Sequence, residues 1–91
     1  MCTYVTETLE IDGSAKGQAG WFKVTDASVY FDHPVHAPQA HTLNIDLRAP
    51  ELGPAARVAM ELSPLAARDL AHAILKIMES VPAELIEGDE A

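Results

Sequence analysis

Residues 41–49 read H-T-L-N-I-D-L-R-A, and they alternate without a break. His41, Leu43, Ile45 and Leu47 point one way, while Thr42, Asn44, Asp46 and Arg48 point the other. A period of two is the signature of a half-buried strand, because successive side chains leave a pleated backbone on opposite faces. One such strand needs neighbours, and the flanking sequence supplies them. Residues 56–62 alternate again after the turn P-E-L-G-P, with Val58, Met60 and Leu62 expected inward, and Val29 and Leu43 are expected in the inward phase too. Upstream, residues 21–32 (W-F-K-V-T-D-A-S-V-Y-F-D) carry Phe22 and Val24, then Ala27, Val29 and Phe31. That slip of phase at Asp26 predicts a β-bulge. Residues 3–11, T-Y-V-T-E-T-L-E-I, are β-branched and loosely alternating, and predict a first strand. The glycine-rich run 12–20, D-G-S-A-K-G-Q-A-G, predicts a loop between the first two strands.

The chain then changes period. Ser63-Pro64 offers an N-cap and a first-turn proline, and L-A-A-R-D-L-A-H-A-I-L-K-I-M-E-S follows. Leu70, Ile74, Ile77 and Met78 fall on one stripe of a helix, with Arg68, His72, Lys76 and Glu79 on the other side and Pro82 closing it. The sequence therefore predicts an α+β fold, a four-stranded antiparallel β-meander followed by one C-terminal amphipathic helix packed on the sheet. The stripe is expected in the core and His72 in solvent. Residues 1–82 form a single domain, and 83–91 an acidic C-terminal tail.

Composition bounds the function. The chain has 91 residues, 48% of them hydrophobic, and a net charge of −8. No basic footprint exists for nucleic acid, and the same charge disfavours an anionic membrane surface. No apolar run approaches a membrane span, and the N-terminus lacks the features of a signal peptide. A single cysteine excludes an internal disulfide and suits a reducing cytoplasm, which is the expected location. Cys2 follows the initiator Met, whose removal before a small residue would leave a free amine beside the thiol.

The segments M-C-T-Y-V-T-E, G-W-F-K-V-T-D-A-S-V-Y-F-D-H-P-V-H-A-P and H-T-L-N-I-D-L resemble a family of short uncharacterised actinobacterial proteins, a domain of unknown function. The resemblance covers most of the chain and implies no activity, so roles must come from chemistry.

Three of the four histidines stand within D-H-P-V-H-A-P-Q-A-H, residues 32–41. A hairpin centred near Ala37 places His33 opposite His41, with His36 in the loop between them. A first loop centred near Lys16 places Cys2 and Thr3 opposite Tyr30 and Phe31, at the same end of the sheet. One thiolate and three imidazoles suit a borderline-soft transition-metal ion: zinc, iron, nickel or copper. Cys2, His33, His36 and His41 are the candidate metal ligands. Asp32, Tyr30 and Tyr4 are the candidate catalytic residues, Asp32 by ligating the ion or by orienting an imidazole and the tyrosines by donating hydrogen bonds to substrate. Trp21 reads as core or interface. Glu7, Glu10, Asp46 and Glu61 read as solvent-facing charges.

The expected function is a small cytoplasmic metal-binding protein, a metal-dependent enzyme acting on a small molecule at this Cys/His site. The competing reading is a non-catalytic dimeric binding or interaction module whose histidine loop is structural. A homodimer is expected in either case, because one helix covers one sheet face and leaves Val5, Leu9 and Trp21 unprotected.

Overall fold

The computed structural model describes residues 5–87. Four strands run in the order β1-β2-β3-β4, each antiparallel to the next. They are β1 (Val5–Gly17), β2 (Gly20–Asp32), β3 (Thr42–Arg48) and β4 (Arg57–Leu62). Helix α1 (Pro64–Ser80) follows β4, and a short α2 (Ala83–Glu87) falls within the segment read as an acidic tail. A single 3₁₀ turn, Pro50–Leu52, lies between β3 and β4. The α+β class and the meander order are as the alternation predicts.

The glycine-rich run is not a loop. β1 continues through it and pairs Gly13 with Val24, Ala15 with Phe22 and Gly17 with Gly20. The partner stretch Trp21–Val24 is aromatic and β-branched, and it recruits its small neighbours into the ladder. Glycine serves two needs here. Gly20 has φ 115°, which L side chains avoid. A Cβ on Gly17 would lie 3.2 Å from the Phe22 ring and 3.6 Å from the Arg57 carbonyl, so the hairpin end curls over until β1 approaches β4.

The bulge is real but sits on the other strand. The register shifts between Glu10 and Gly13, where β1 spends one more residue than β2 does between Asp26 and Val24. The phase slip along β2 has a different cause. Val24 is 3% exposed and Ala27 5%, so both are buried although alternation puts them on opposite faces.

Register divides the sheet into two chemically distinct faces. On one, Phe31, Leu43 and Leu62 stand in a row across β2, β3 and β4, as do Val29, Ile45 and Met60, and Ala27, Leu47 and Val58. On the other, the rows are Tyr30, Asn44 and Glu61, then Ser28, Asp46 and Ala59. The covered face is the polar one: Thr42 is 0%, Asn44 5% and Asp32 4% exposed, whereas Leu43, Ile45 and Leu47 are only half-buried. The expectation that the Leu43 phase points inward is thus overturned. The loop after β2 folds back over the polar rows and is tied to them through Glu61.

Helix α1 is capped as its sequence predicts. The Ser63 hydroxyl accepts from the Ala66 amide at 3.2 Å, and Pro64 starts the first turn. Its contacts with β3 and β4 are sparse, and no residue of the helix is buried. Leu70, Ile74, Ile77 and Met78, which spacing assigns to the core, are 40%, 54%, 62% and 44% exposed. His72 is exposed as expected. Trp21 is 71% exposed and so is no part of the core, because it lies near the tip of the curled hairpin.

Candidate functional site

The loop between β2 and β3 carries the histidines, and its position follows from one acidic side chain. Glu61 on β4 accepts hydrogen bonds from three successive amides, Val35 at 2.5 Å, His36 at 3.0 Å and Ala37 at 2.9 Å. Those amides, Val35 and Ala37 foremost, hold the Glu61 carboxyl below its ordinary range. At the loop's start the buried Asp32 carboxylate accepts from the His33 amide at 2.6 Å. His33 Nδ1 donates to the Ala40 carbonyl at 3.2 Å, which puts the lone pair of the neutral ring on Nε2. Pro34 and Pro38 stiffen what these bonds fix.

Beneath the loop lies a cleft of about 640 Å³, a volume suited to a small molecule. His33, His36 and Ala37 form one wall, and Tyr30, Asn44, Asp46 and Arg57 line the sheet side. The floor is held by an ion pair. Arg57 donates through Nε at 3.1 Å and Nη2 at 2.8 Å to Asp46 Oδ1. The Asp46 side chain is 15% exposed and that of Arg57 52%. The Tyr30 hydroxyl donates to Asp46 Oδ2 at 3.4 Å. Burial, with the Asp46 carboxylate next, pushes the Tyr30 hydroxyl above its usual range, and Arg57 partly opposes this. Tyr30 therefore stays protonated at neutral pH and acts as a donor, not a base. Beside it, Thr42 Oγ1 donates to Asn44 Oδ1 at 2.7 Å in the buried layer.

The histidine geometry is partly as predicted. The His33 and His41 rings are neighbours, with centroids 4.7 Å apart and planes tilted by 32°. His41 also stacks on Phe31 at 5.7 Å, on the apolar side of the sheet. His36 is exposed at the cleft wall and is anchored through its backbone. Among the described residues, no group of three or more His, Cys, Asp or Glu side chains is placed to hold an ion together. Cys2 and Tyr4 lie outside the described residues. The pairing expected for the first strand is displaced: Phe31 faces Val5 and Tyr30 faces Thr6. The cause is the extension of β1 through the glycine run, which moves the turn to Gln18–Ala19.

Of the candidate catalytic residues, Tyr30 lines the cleft, and the buried Asp32 accepts from the His33 amide at the start of the loop. Asp46 and Glu61 are not the solvent-facing charges that alternation suggested. One organises Arg57 and Tyr30, the other the loop. The signal available in sequence was Glu61 itself, an acid inside the strand R-V-A-M-E-L directly across from Asn44. No helix is long and apolar enough to cross a membrane, among the described residues. No curated protein and no solved structure matches the chain. A family model does match, over residues 1–87, so the chain belongs to DUF6295, a family of unknown function.

Proposed function

We propose that this protein is a non-catalytic binding module, in which the histidine loop is structural and roofs a cleft for a small polar molecule. One observation carries the reading: the Glu61 carboxylate takes up three consecutive loop amides. An acidic side chain spent on backbone donors works as a clamp, and the loop it clamps fixes one wall of the cleft. Arg57 offers further donors beyond the two that it gives Asp46, and Tyr30 and Asn44 add uncharged polar groups. That set matches a ligand carrying a carboxylate and a neutral or cationic polar group, the chemistry of a free amino acid or hydroxy acid. Titrating a panel of both into ¹⁵N-labelled protein tests it. Amide shifts should cluster at Ala37, Asn44, Asp46 and Glu61. A panel that moves none of them counts against the cleft.

The contact of the His33 and His41 rings favours a second reading, a small metal-dependent enzyme with an ion at that end of the sheet. Zinc, iron, nickel or copper would be taken by neutral imidazoles, with Cys2 and His36 as further donors. Elemental analysis of protein purified without an affinity tag distinguishes the two readings. Close to one ion per chain, lost in a His33→Ala/His41→Ala double variant, supports the metal reading. Full retention in that variant removes it.

A further inference from the structure

We propose that a second copy of this chain covers the apolar sheet face, with α1 of each copy packing its stripe onto the sheet of the other. The inference is independent of what the cleft binds. It starts from the poverty of the core. Among the described residues the buried apolar side chains are Ala15, Val24, Ala27 and Ala49, which include no leucine, isoleucine, phenylalanine or methionine. A chain that is 48% hydrophobic has put its large apolar groups elsewhere.

They lie in two places, and each lacks what the other offers. The sheet face presents Val29, Phe31, Leu43, Ile45 and Met60 in register, all only half-buried, with Val5 and Leu9 at its edge 63% and 46% exposed. The helices present Leu70, Ile74, Ile77 and Met78 on α1, and Leu85 and Ile86 on α2 at 62% and 44% exposure. Together these helical side chains expose several hundred Å², of the order of the roughly 800 Å² that each partner buries in a standard dimer. A typical monomer's largest apolar patch is about 300–600 Å².

Fit and charge point the same way. The 17 residues of α1 span about 26 Å and the seven of β3 about 23 Å, so one helix runs the length of the sheet. The net charge of −8 opposes self-association in general, yet Glu7 is the single charged residue in the rows that form this face. The chain cannot readily close on itself. Ser63 alone joins β4 to α1, in an extended conformation and followed by proline, with no loop to bring the helix back over β1 and β2. The radius of gyration is 14.9 Å, against about 12 Å for a closed domain of this length.

The test uses full-length protein in a Cys2→Ser background. Sedimentation at micromolar concentration should give twice the chain mass of 9.8 kDa. Chains carrying Val29→Cys are mixed with chains carrying Ile74→Cys, then treated with a short bis-maleimide. The expected product is a mixed Val29–Ile74 cross-link between copies. Ile74→Asp should raise the dimer dissociation constant roughly 100-fold or more, since it puts an unpaired charge at the seam. A mass of 9.8 kDa for the unsubstituted chain overturns the proposal. So does a dimer that cross-links only Ile74 to Ile74, a helix-to-helix seam, or only Val29 to Val29, a sheet-to-sheet one. Absence of any cross-link within a stable dimer also overturns it.

Discussion

The two faces of this sheet have had opposite fates. The polar face is roofed: the loop after β2 lies over it, leaving a cleft, and Asp32, Thr42 and Asn44 are the most deeply buried polar groups described. The apolar face is open, with Val5 and Leu9 exposed and the helix making only sparse contacts with β3 and β4. Alternation along a strand says that two faces exist and that they differ. It does not say which one the chain itself covers. Coverage is decided by loops, and a loop goes where its backbone amides can be satisfied. Here the satisfying group is Glu61, on the polar side. Apolar surface has no comparable directional pull on a hydrogen-bonding loop, and it waits for another apolar surface.

That contrast can be broken at several points. The largest effect is expected in the sealed corner at the hairpin end. Val24→Asp places an unpaired charge at a position 3% exposed, and should cost more than about 4 kcal/mol, enough to abolish the cooperative transition in urea. Trp21→Ser, three residues away at 71% exposure, should shift that transition by less than about 0.5 kcal/mol. Next comes the buried pair beneath the loop. Asn44→Ala leaves the Thr42 hydroxyl without its acceptor and should cost about 1–3 kcal/mol. Combining it with Thr42→Val should cost less than the two single changes together, because no orphaned hydroxyl then remains. Additive losses would mean that the two residues act separately.

The smallest effect sharpens the picture of the loop. The Glu61 carboxyl is held below its ordinary range, so the clamp is complete above the usual glutamate value of about 4.3 and is lost as pH falls through the lower, folded value. Exchange protection of the Val35, His36 and Ala37 amides should hold from pH 7 to near that value and fall below it. Glu61→Gln should lower the protection at neutral pH, because its NH₂ group cannot accept from a facing amide. Protection unchanged in that variant would show that the prolines alone fix the loop.

What was legible in sequence was what rests on local periodicity. Leu43, Ile45 and Leu47 announced β3, Ser63-Pro64 announced the start of α1, and the symmetry of the loop about Ala37 brought His33 to His41. What was not legible depended on a partner strand or a returning loop. Gly13–Gly17 look like a loop because glycine is permissive, and they become strand because Val24, Phe22 and Trp21 pair with them. Asp46 and Glu61 look like surface charges because nothing near them in the chain says that Arg57 and three loop amides will arrive. The helical stripe reads as core in any sequence, since periodicity reports that a face wants covering and is silent on whose surface covers it.

The junction at Ser63 has a mechanical consequence. With a single residue between the last strand and a 17-residue helix, the helix is a lever whose fulcrum is one pair of backbone torsions, and Pro64 stiffens the near end. Over a helix about 26 Å long, a 10° change at that fulcrum displaces the far end by roughly 4–5 Å, close to the spacing of two neighbouring strands. A small change in the twist of β4, on which the Glu61 clamp also sits, is thus magnified at the helix tip into a shift of about one strand. The six residues of β4 thus carry both the cleft's Glu61 and the base of the lever.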